Sequence, residues 1–306
     1  MAEQLKVKRK KVWNKSRVCT LIANILIYTF VAVVSLSCVL PYIHVIAKSL
    51  SSESFVIAKK VFLLPKGFTT EAYVKVFHDN SFIVSFFVTV IMTVLFTLLG
   101  MVITLCAAYP LSRKELRGRR IINFFFIFTM YFAGGMISDY ILINKLGMLE
   151  KMSALVLPLA FSAYNLVIMK NSLESSIPDS LVESAVIDGA NHYTILGKII
   201  IPLSKPILAT LTLFYAVGRW NTYSDAMFYI KQNVSLRPLQ LKLYYLIVAA
   251  TESIQGSVND VNMSTITDPE ILKAACIVFA TIPIICVYPF VQKYFVQGTM
   301  IGAVKG

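Results

Sequence analysis

FIVSFFVTVIMTVLFTLLGMVITLCAAYP, residues 82–110, contains no acidic or basic side chain and runs directly into LSRKELRGRR, residues 111–120, where Arg113, Lys114, Arg117, Arg119 and Arg120 crowd together. An α-helix needs about 20 mostly apolar residues to cross a hydrocarbon core, so the first stretch reads as a membrane span. The second reads as a cytoplasmic anchor, because Lys and Arg accumulate on the inner side of a bilayer. Together they predict an integral membrane protein and set its direction.

The rest of the chain repeats the pattern. Apolar windows of spanning length occur at 19–47, 82–110, 121–143, 152–171, 199–230 and 271–295. They predict an all-α, polytopic fold with six transmembrane helices. Of 306 residues, 57% are hydrophobic and 15% are charged, against about 25% charged in a soluble domain. Mean hydropathy is +0.71, and one soluble core of this size could not bury so much apolar surface. Two windows carry polar groups: Gly134, Gly135 and Asp139 in the third, and Arg219, Asn221 and Asp225 in the fifth. Such groups are costly at membrane depth and are expected to face the bundle interior or a watery path.

Charge placement orients the spans. The tail 1–18 carries Lys6, Lys8, Arg9, Lys10, Lys11, Lys15 and Arg17. With that tail inside, 111–120 and 172–198 fall inside, while 48–80 and 231–270 fall outside. Twelve Lys or Arg, seven in the tail and five in 111–120, stand in those 28 inside residues, against eight in the 73 residues of the two outside loops. Both termini, including Lys305, are therefore expected in the cytoplasm, at the cell membrane. The first apolar window is long and lacks a small-residue cleavage site, so a retained anchor is expected rather than a signal peptide. The net charge of +13 comes with no nucleic-acid recognition motif, and no nucleic-acid partner is expected. The cysteines Cys19, Cys38, Cys106, Cys276 and Cys286 sit in or beside apolar runs without CxxC spacing, as small hydrophobes do. One membrane domain over 19–306 follows the tail, with a turn-rich outer loop around Gly256, Asn259, Asp260 and Asp268.

The inside segment 177–202, IPDSLVESAVIDGANHYTILGKIIIP, is too apolar for a plain loop and too short to span. Pro178 followed by Ser180-x-x-Glu183 predicts a capped helix start. Leu181, Ala185 and Ile187 supply an apolar face, and Gly189 permits a sharp turn before a second short helix near Asn191. Pro202 stands near the start of the next membrane helix, where proline is tolerated.

This segment resembles the "EAA" loop of binding-protein-dependent ABC importer permeases, with the pattern E-A-A, three residues, G, nine residues, I-x-L-P. Here Glu183, Ser184 and Ala185 are followed by Asp188-Gly189, then by Ile199 and by Ile201-Pro202. Ser184 stands for Ala and Ile201 for Leu. The resemblance implies a cytoplasmic coupling-helix loop, about 177–202, that docks into a groove on an ATP-hydrolysing subunit. The run Gly134-Gly135-Met-Ile-Ser-Asp-Tyr140, the pair Trp220-Asn221, the run Arg237-Pro-Leu-Gln240 and the ending from Gln292 to Gly306 are similar to the MalG-like, carbohydrate-uptake branch. Ser138 replaces a proline of that branch.

The fifth window concentrates Tyr215, Trp220, Asn221, Tyr223 and Asp225. Aromatic faces there suit either packing and the interfacial belt or stacking on a sugar ring. Asn221 and Asp225 suit a polar path or a bond to a neighbouring helix. His44, His78 and His192 are isolated, with no metal-ligand spacing, and read as structural. No G-x-x-x-x-G-K-[ST] loop is present; Gly197-Lys198 lacks the upstream glycine, so the chain has no cradle for ATP. No catalytic set stands out, and no metal or cofactor is expected in this chain.

The resemblance implies the permease subunit of an ATP-driven importer for a carbohydrate, an oligosaccharide by its branch. Its expected partners are a second homologous permease, an ATPase dimer holding ATP and Mg, an extracytoplasmic solute-binding protein and the lipid membrane. The alternative is a secondary transporter driven by an ion gradient, which calls for charged relays in several helices and an internal repeat. Only scattered acids such as Asp139 and Asp225 meet that description.

Overall fold

A computed structural model describes residues 15–253 and 269–303. The tail to residue 14, the outer-loop residues Gly256, Asn259, Asp260 and Asp268, and Lys305 lie outside the described residues. Among the described residues the architecture is helical: α1 (Lys15–Ser49), α2 (Glu53–Ile57), α3 (Glu71–His78), α4 (Asn80–Ser112), α5 (Arg119–Tyr131), α6 (Gly135–Lys145), α7 (Met152–Val156), α8 (Ala163–Ser176), α9 (Asp179–Ile187), α10 (His192–Ile195), α11 (Ile201–Leu203), α12 (Lys205–Asn221), α13 (Ser224–Tyr229), α14 (Leu239–Ser253) and α15 (Pro269–Ala303). A π turn covers Leu196–Ile200 and a 3₁₀ turn covers Val234–Leu236. The chain divides after Thr70 into two compact units.

In the first unit, α1 is a single 35-residue helix, about 50 Å long at 1.5 Å per residue. Its apolar side chains from Leu21 to Leu40 are exposed, whereas Ala47 and Ser49 at its end, and Ser51 just beyond it, are buried. The segment after it folds back: Phe62 O lies 2.6 Å from His44 Nδ1, and Lys66 N donates to Ser51 Oγ at 3.0 Å.

The second unit is organised around α4. One stripe of α4, including Ser85, Thr89, Thr93, Thr97, Gly100, Thr104 and Ala108, is buried. Phe87, Ile91, Leu95, Leu98 and Val102 on the other faces are exposed. Small and hydroxylated residues let membrane helices approach closely, while lipid accepts the large ones. Gly100 is required by this approach, since a Cβ there would lie 2.7 Å from Ala160 O and 2.9 Å from Tyr215 Cε1. Helices α8 and α12 pack against α4, and α15 packs against α12 and α14.

The sequence predicts six transmembrane helices; among the described residues three helices are long and apolar enough to cross a membrane unbroken, in α1, α4 and α15. Two bent helix pairs meet the same length and composition only when taken together: α5 with α6 at 108°, and the 192–203 segment with α12 at 83°. Counting each pair as one span gives five. The fourth window, 152–171, is instead α7, an irregular stretch at 157–162, and α8. The breaks fall at Pro158, at Gly134-Gly135, and at Ser204 just before Pro206. Proline withholds a backbone N–H, and glycine leaves the helix at low steric cost. Irregular backbone at membrane depth is stable only where protein or a watery cavity surrounds it.

Candidate functional site

The 177–202 segment forms the expected hairpin of short helices, but its start differs from expectation. Pro178 is the N-cap of α9, and no side chain caps it. The Ser180–Glu183 capping box does not form, because the helix already begins at Asp179; Ser180 is inside the first turn, and Ser184 Oγ donates to Ser180 O at 2.9 Å. Asp179 places its charge at the positive end of the helix instead. The apolar face also differs: Val182 and Ala185 are buried, whereas Leu181 and Ile187 are exposed, Ile187 at 86%.

Helix α9 ends in two turn-closing bonds. Gly189 N donates to Val186 O at 3.0 Å, and Ala190 N to Ala185 O at 2.9 Å. This is the Schellman arrangement, with Gly189 at φ +80° in the left-handed position that favours glycine. Asn191 then caps α10, its Oδ1 accepting from Thr194 N at 2.8 Å. Ile195 and Ile200 seat this second arm on a core that includes Leu173, Ile177 and Leu211, with Ile199 packed at its edge. Pro202 lies in the short turn of α11, just before the 83° bend into α12. The outer surface of the hairpin presents Glu183, Ser184, Val186, Ile187, Asp188 and Tyr193.

The basic anchor 111–120 holds this hairpin. Lys114 Nζ donates to Asp179 Oδ2 at 2.7 Å, Arg113 approaches the other oxygen at 3.6 Å, and Arg119 pairs with Glu174. The hydrogen bond from Lys114 holds the Asp179 carboxyl below its ordinary range. His192 Nδ1 lies 3.3 Å from Tyr109 OH at the end of α4. At the opposite end, Lys242 pairs with Asp79 at 2.8 Å, and Glu150 accepts from the backbone of 231–233. Segments 111–120 and 172–198, both expected inside, thus bond to each other, and so do Asp79 and Lys242 of the segments expected outside.

The five residues of the fifth window divide. Tyr215 is buried; its OH shares a 2.7 Å hydrogen bond with Thr104 Oγ1 and accepts from Ser162 N at 3.2 Å. Trp220 is 7% exposed; its Nε1 donates to Ala280 O at 3.2 Å and its ring meets Phe86 edge-on. It borders an apolar groove of about 820 Å³ between α4, α12 and α15. Asp225 is bound to Arg219 at 2.6 Å, with side chains 8% and 1% exposed; the guanidinium also touches Met92 Sδ and lies over the Phe96 ring. Asn221 and Tyr223 are exposed: Asn221 Nδ2 donates to Val217 O, and Tyr223 stacks on Tyr244 at 5.0 Å. Among the described residues no group of three metal-ligating side chains converges.

Two positions escaped the sequence reading. Asp179 was signalled only by its place after Pro178, and Glu150 by nothing local, since its partners lie 81 to 83 residues away.

Comparison with known proteins fits this arrangement. Residues 81–301 match the family described as the binding-protein-dependent transport system inner membrane component. The chain is 42% identical, over 92% of its length and 98% of the relative's, to the polygalacturonan/rhamnogalacturonan transport system permease protein YtcP of Bacillus subtilis (strain 168). It is 38% identical to Protein LplC of the same organism, over 88% and 90% of the two chains. Among solved structures it is similar to a chain of a bacterial ABC transporter that imports the acidic polysaccharide alginate, with TM-score 0.80, 35% identity, and 94% of this chain and all of that one covered. The extent of these matches, together with the hairpin centred on Gly189, shows that the chain belongs to the binding-protein-dependent transport system inner membrane component family and is a permease subunit of an ABC importer.

Proposed function

We propose that this subunit forms half of a translocation path for an oligosaccharide, and that residues 177–202 couple it to ATP hydrolysis by a partner. The observation that carries this reading is the α9–α10 hairpin. It is rigidly seated from beneath by Val182, Ala185, Ile195 and Ile200, yet it exposes Leu181, Val186, Ile187 and Tyr193 around Glu183 and Asp188. An exposed apolar patch rimmed by charge suits a docking surface, here for a groove on the ATPase. In this reading Glu183, Ser184, Ala185, Asp188, Gly189, Ile199 and Pro202 form or support the coupling element. The partners are a second homologous permease, an ATPase dimer that holds ATP and Mg, and an extracytoplasmic binding protein.

Six crossings with both termini cytoplasmic fit the loop pairings, if 152–171 counts as a broken span inside the bundle and 19–306 as one permease domain. The cargo is a carbohydrate. A relative is named for polygalacturonan/rhamnogalacturonan, and the similar solved importer carries an acidic polysaccharide, so anionic oligosaccharides are the first class to test. Asn221 and Tyr223 are the path candidates that remain exposed; Tyr215, Trp220 and Asp225 would act from behind by supporting α12 and α13. ATP-driven closure of the ATPase would move the hairpin and switch the bundle between inward and outward states.

The test is ATPase stimulation by loaded binding protein in proteoliposomes of the complete importer. Glu183→Lys should remove the stimulation and uptake while the partner permease still co-purifies. Unchanged stimulation in that variant would refute the coupling role.

A further inference from the structure

At the outer end of the second unit, a single carboxylate gathers the start of a turn that Leu236 seats on the core. Glu150 Oε1 accepts from Lys231 N at 2.8 Å and Gln232 N at 3.1 Å, and Oε2 accepts from Asn233 N at 2.9 Å. The backbone N–H of Glu150 donates to Tyr229 O at 3.0 Å, so main chain and side chain grip the same segment. Glu150 holds φ +61° to do this, a left-handed conformation that a non-glycine residue keeps only when its surroundings impose it. Arg237 closes the turn by donating to Lys231 O at 2.6 Å, with its guanidinium over the Tyr245 ring. Lys231 is left exposed, its ammonium over the Tyr140 ring at 5.7 Å. Burial alone would push the Glu150 carboxyl up, but the three N–H groups and Arg237 hold it below the usual carboxylate range.

We propose that Glu150 is a positioning residue for the docking of the loaded binding protein: it holds the 231–237 turn, with Lys231 exposed where the turn begins, in the conformation that the binding protein meets. The inference rests on the importer reading above and on its outward assignment of 231–270, the segment to which Glu150 is bonded. The geometry favours presentation over mere tethering. Lys231, Gln232, Val234 and Ser235 are exposed, at the end of the bundle opposite the coupling hairpin, while Leu236 packs on the core and Glu150 gathers the backbone N–H groups that precede it. Three consecutive N–H groups on one carboxylate leave the turn few alternatives, and preorganising a loop lowers the cost of binding to it.

The test uses the complete importer in proteoliposomes, titrated with its binding protein loaded with an oligogalacturonide, and reads stimulated ATPase activity. In Glu150→Ala and Glu150→Gly the apparent KM for loaded binding protein should rise about tenfold, with the maximal rate within about twofold of wild type. Glu150→Gly is the discriminating variant, because it relieves the left-handed backbone while removing the carboxylate; were strain the only issue, it would match wild type or be stabilised. Glu150→Gln keeps the volume and one acceptor, is the safest for assembly, and should raise the KM about threefold. An unshifted KM in Glu150→Gly or Glu150→Gln, or a loss confined to the maximal rate, overturns the proposal. A wild-type complex that ignores loaded binding protein would sink the importer reading itself; a responsive wild type with unshifted variants sinks only the role of Glu150.

Discussion

Substitution at Gly189 separates the internal role of the coupling hairpin from its external one. Gly189 sits at φ +80°, and a Cβ built there meets nothing within 4 Å. An L side chain therefore suffers backbone strain, about 1–2 kcal/mol, and no clash inside the chain. That strain lowers the population of the native hairpin relative to its alternatives by a factor of about 5–30. Asn tolerates the left-handed conformation better than Ala, so Gly189→Asn should stay near wild type and Gly189→Ala should lose about thirtyfold at most. Gly189→Glu carries the same backbone strain as Ala but projects a charged chain from the exposed surface of the hairpin. If that surface docks on the ATPase, Gly189→Glu should abolish stimulation by loaded binding protein, far beyond the strain it shares with Ala. Stimulated ATPase activity in proteoliposomes is the assay, with co-purification of the partner permease as the control for assembly. Equal activity in Gly189→Glu and Gly189→Ala would refute the docking argument and leave Gly189 as a helix terminator only.

Breaking the Arg219–Asp225 pair should be costly, because removing one partner leaves a buried charge uncompensated, at about 3–5 kcal/mol; thermal unfolding of the purified subunit should show Asp225→Ala less stable than the double variant Arg219→Met/Asp225→Ala, and the reverse order would refute a buried ion pair. Trp220→Ala should lower thermal stability and Trp220→Phe should do so less, by a cost below the ~3–5 kcal/mol of a water-soluble core because lipid is as apolar as the side chain it replaces. A changed sugar preference at unchanged stability would instead mark Trp220 as a path contact. In intact cells, a membrane-impermeant thiol reagent should reach Lys231→Cys and Asp79→Cys but not Arg117→Cys, and labelling of the last would invert the assigned topology.

The membrane class, the importer family and the short-helix hairpin at 177–202 were legible in the sequence alone. Each depends on a local quantity: the length of an apolar run, or a spaced pattern of residues around Gly189. The sharp turn at Gly189 and the second short helix near Asn191 were legible for the same reason, since their hydrogen bonds close within five residues. The start of α9 was misread because two local signals competed there, and the acid after Pro178 prevailed over Ser180 and Glu183 once Lys114, 65 residues away, pinned it. Which face of α9 is buried, and whether 152–171 runs unbroken, are settled by neighbours that periodicity does not reveal. Tyr215 and Trp220 look equally suited to a sugar or a core until Thr104 and Ala280 engage their polar atoms. Glu150 gives no local signal at all, because a carboxylate that gathers three N–H groups from a distant turn acquires its role only when the chain brings that turn to it.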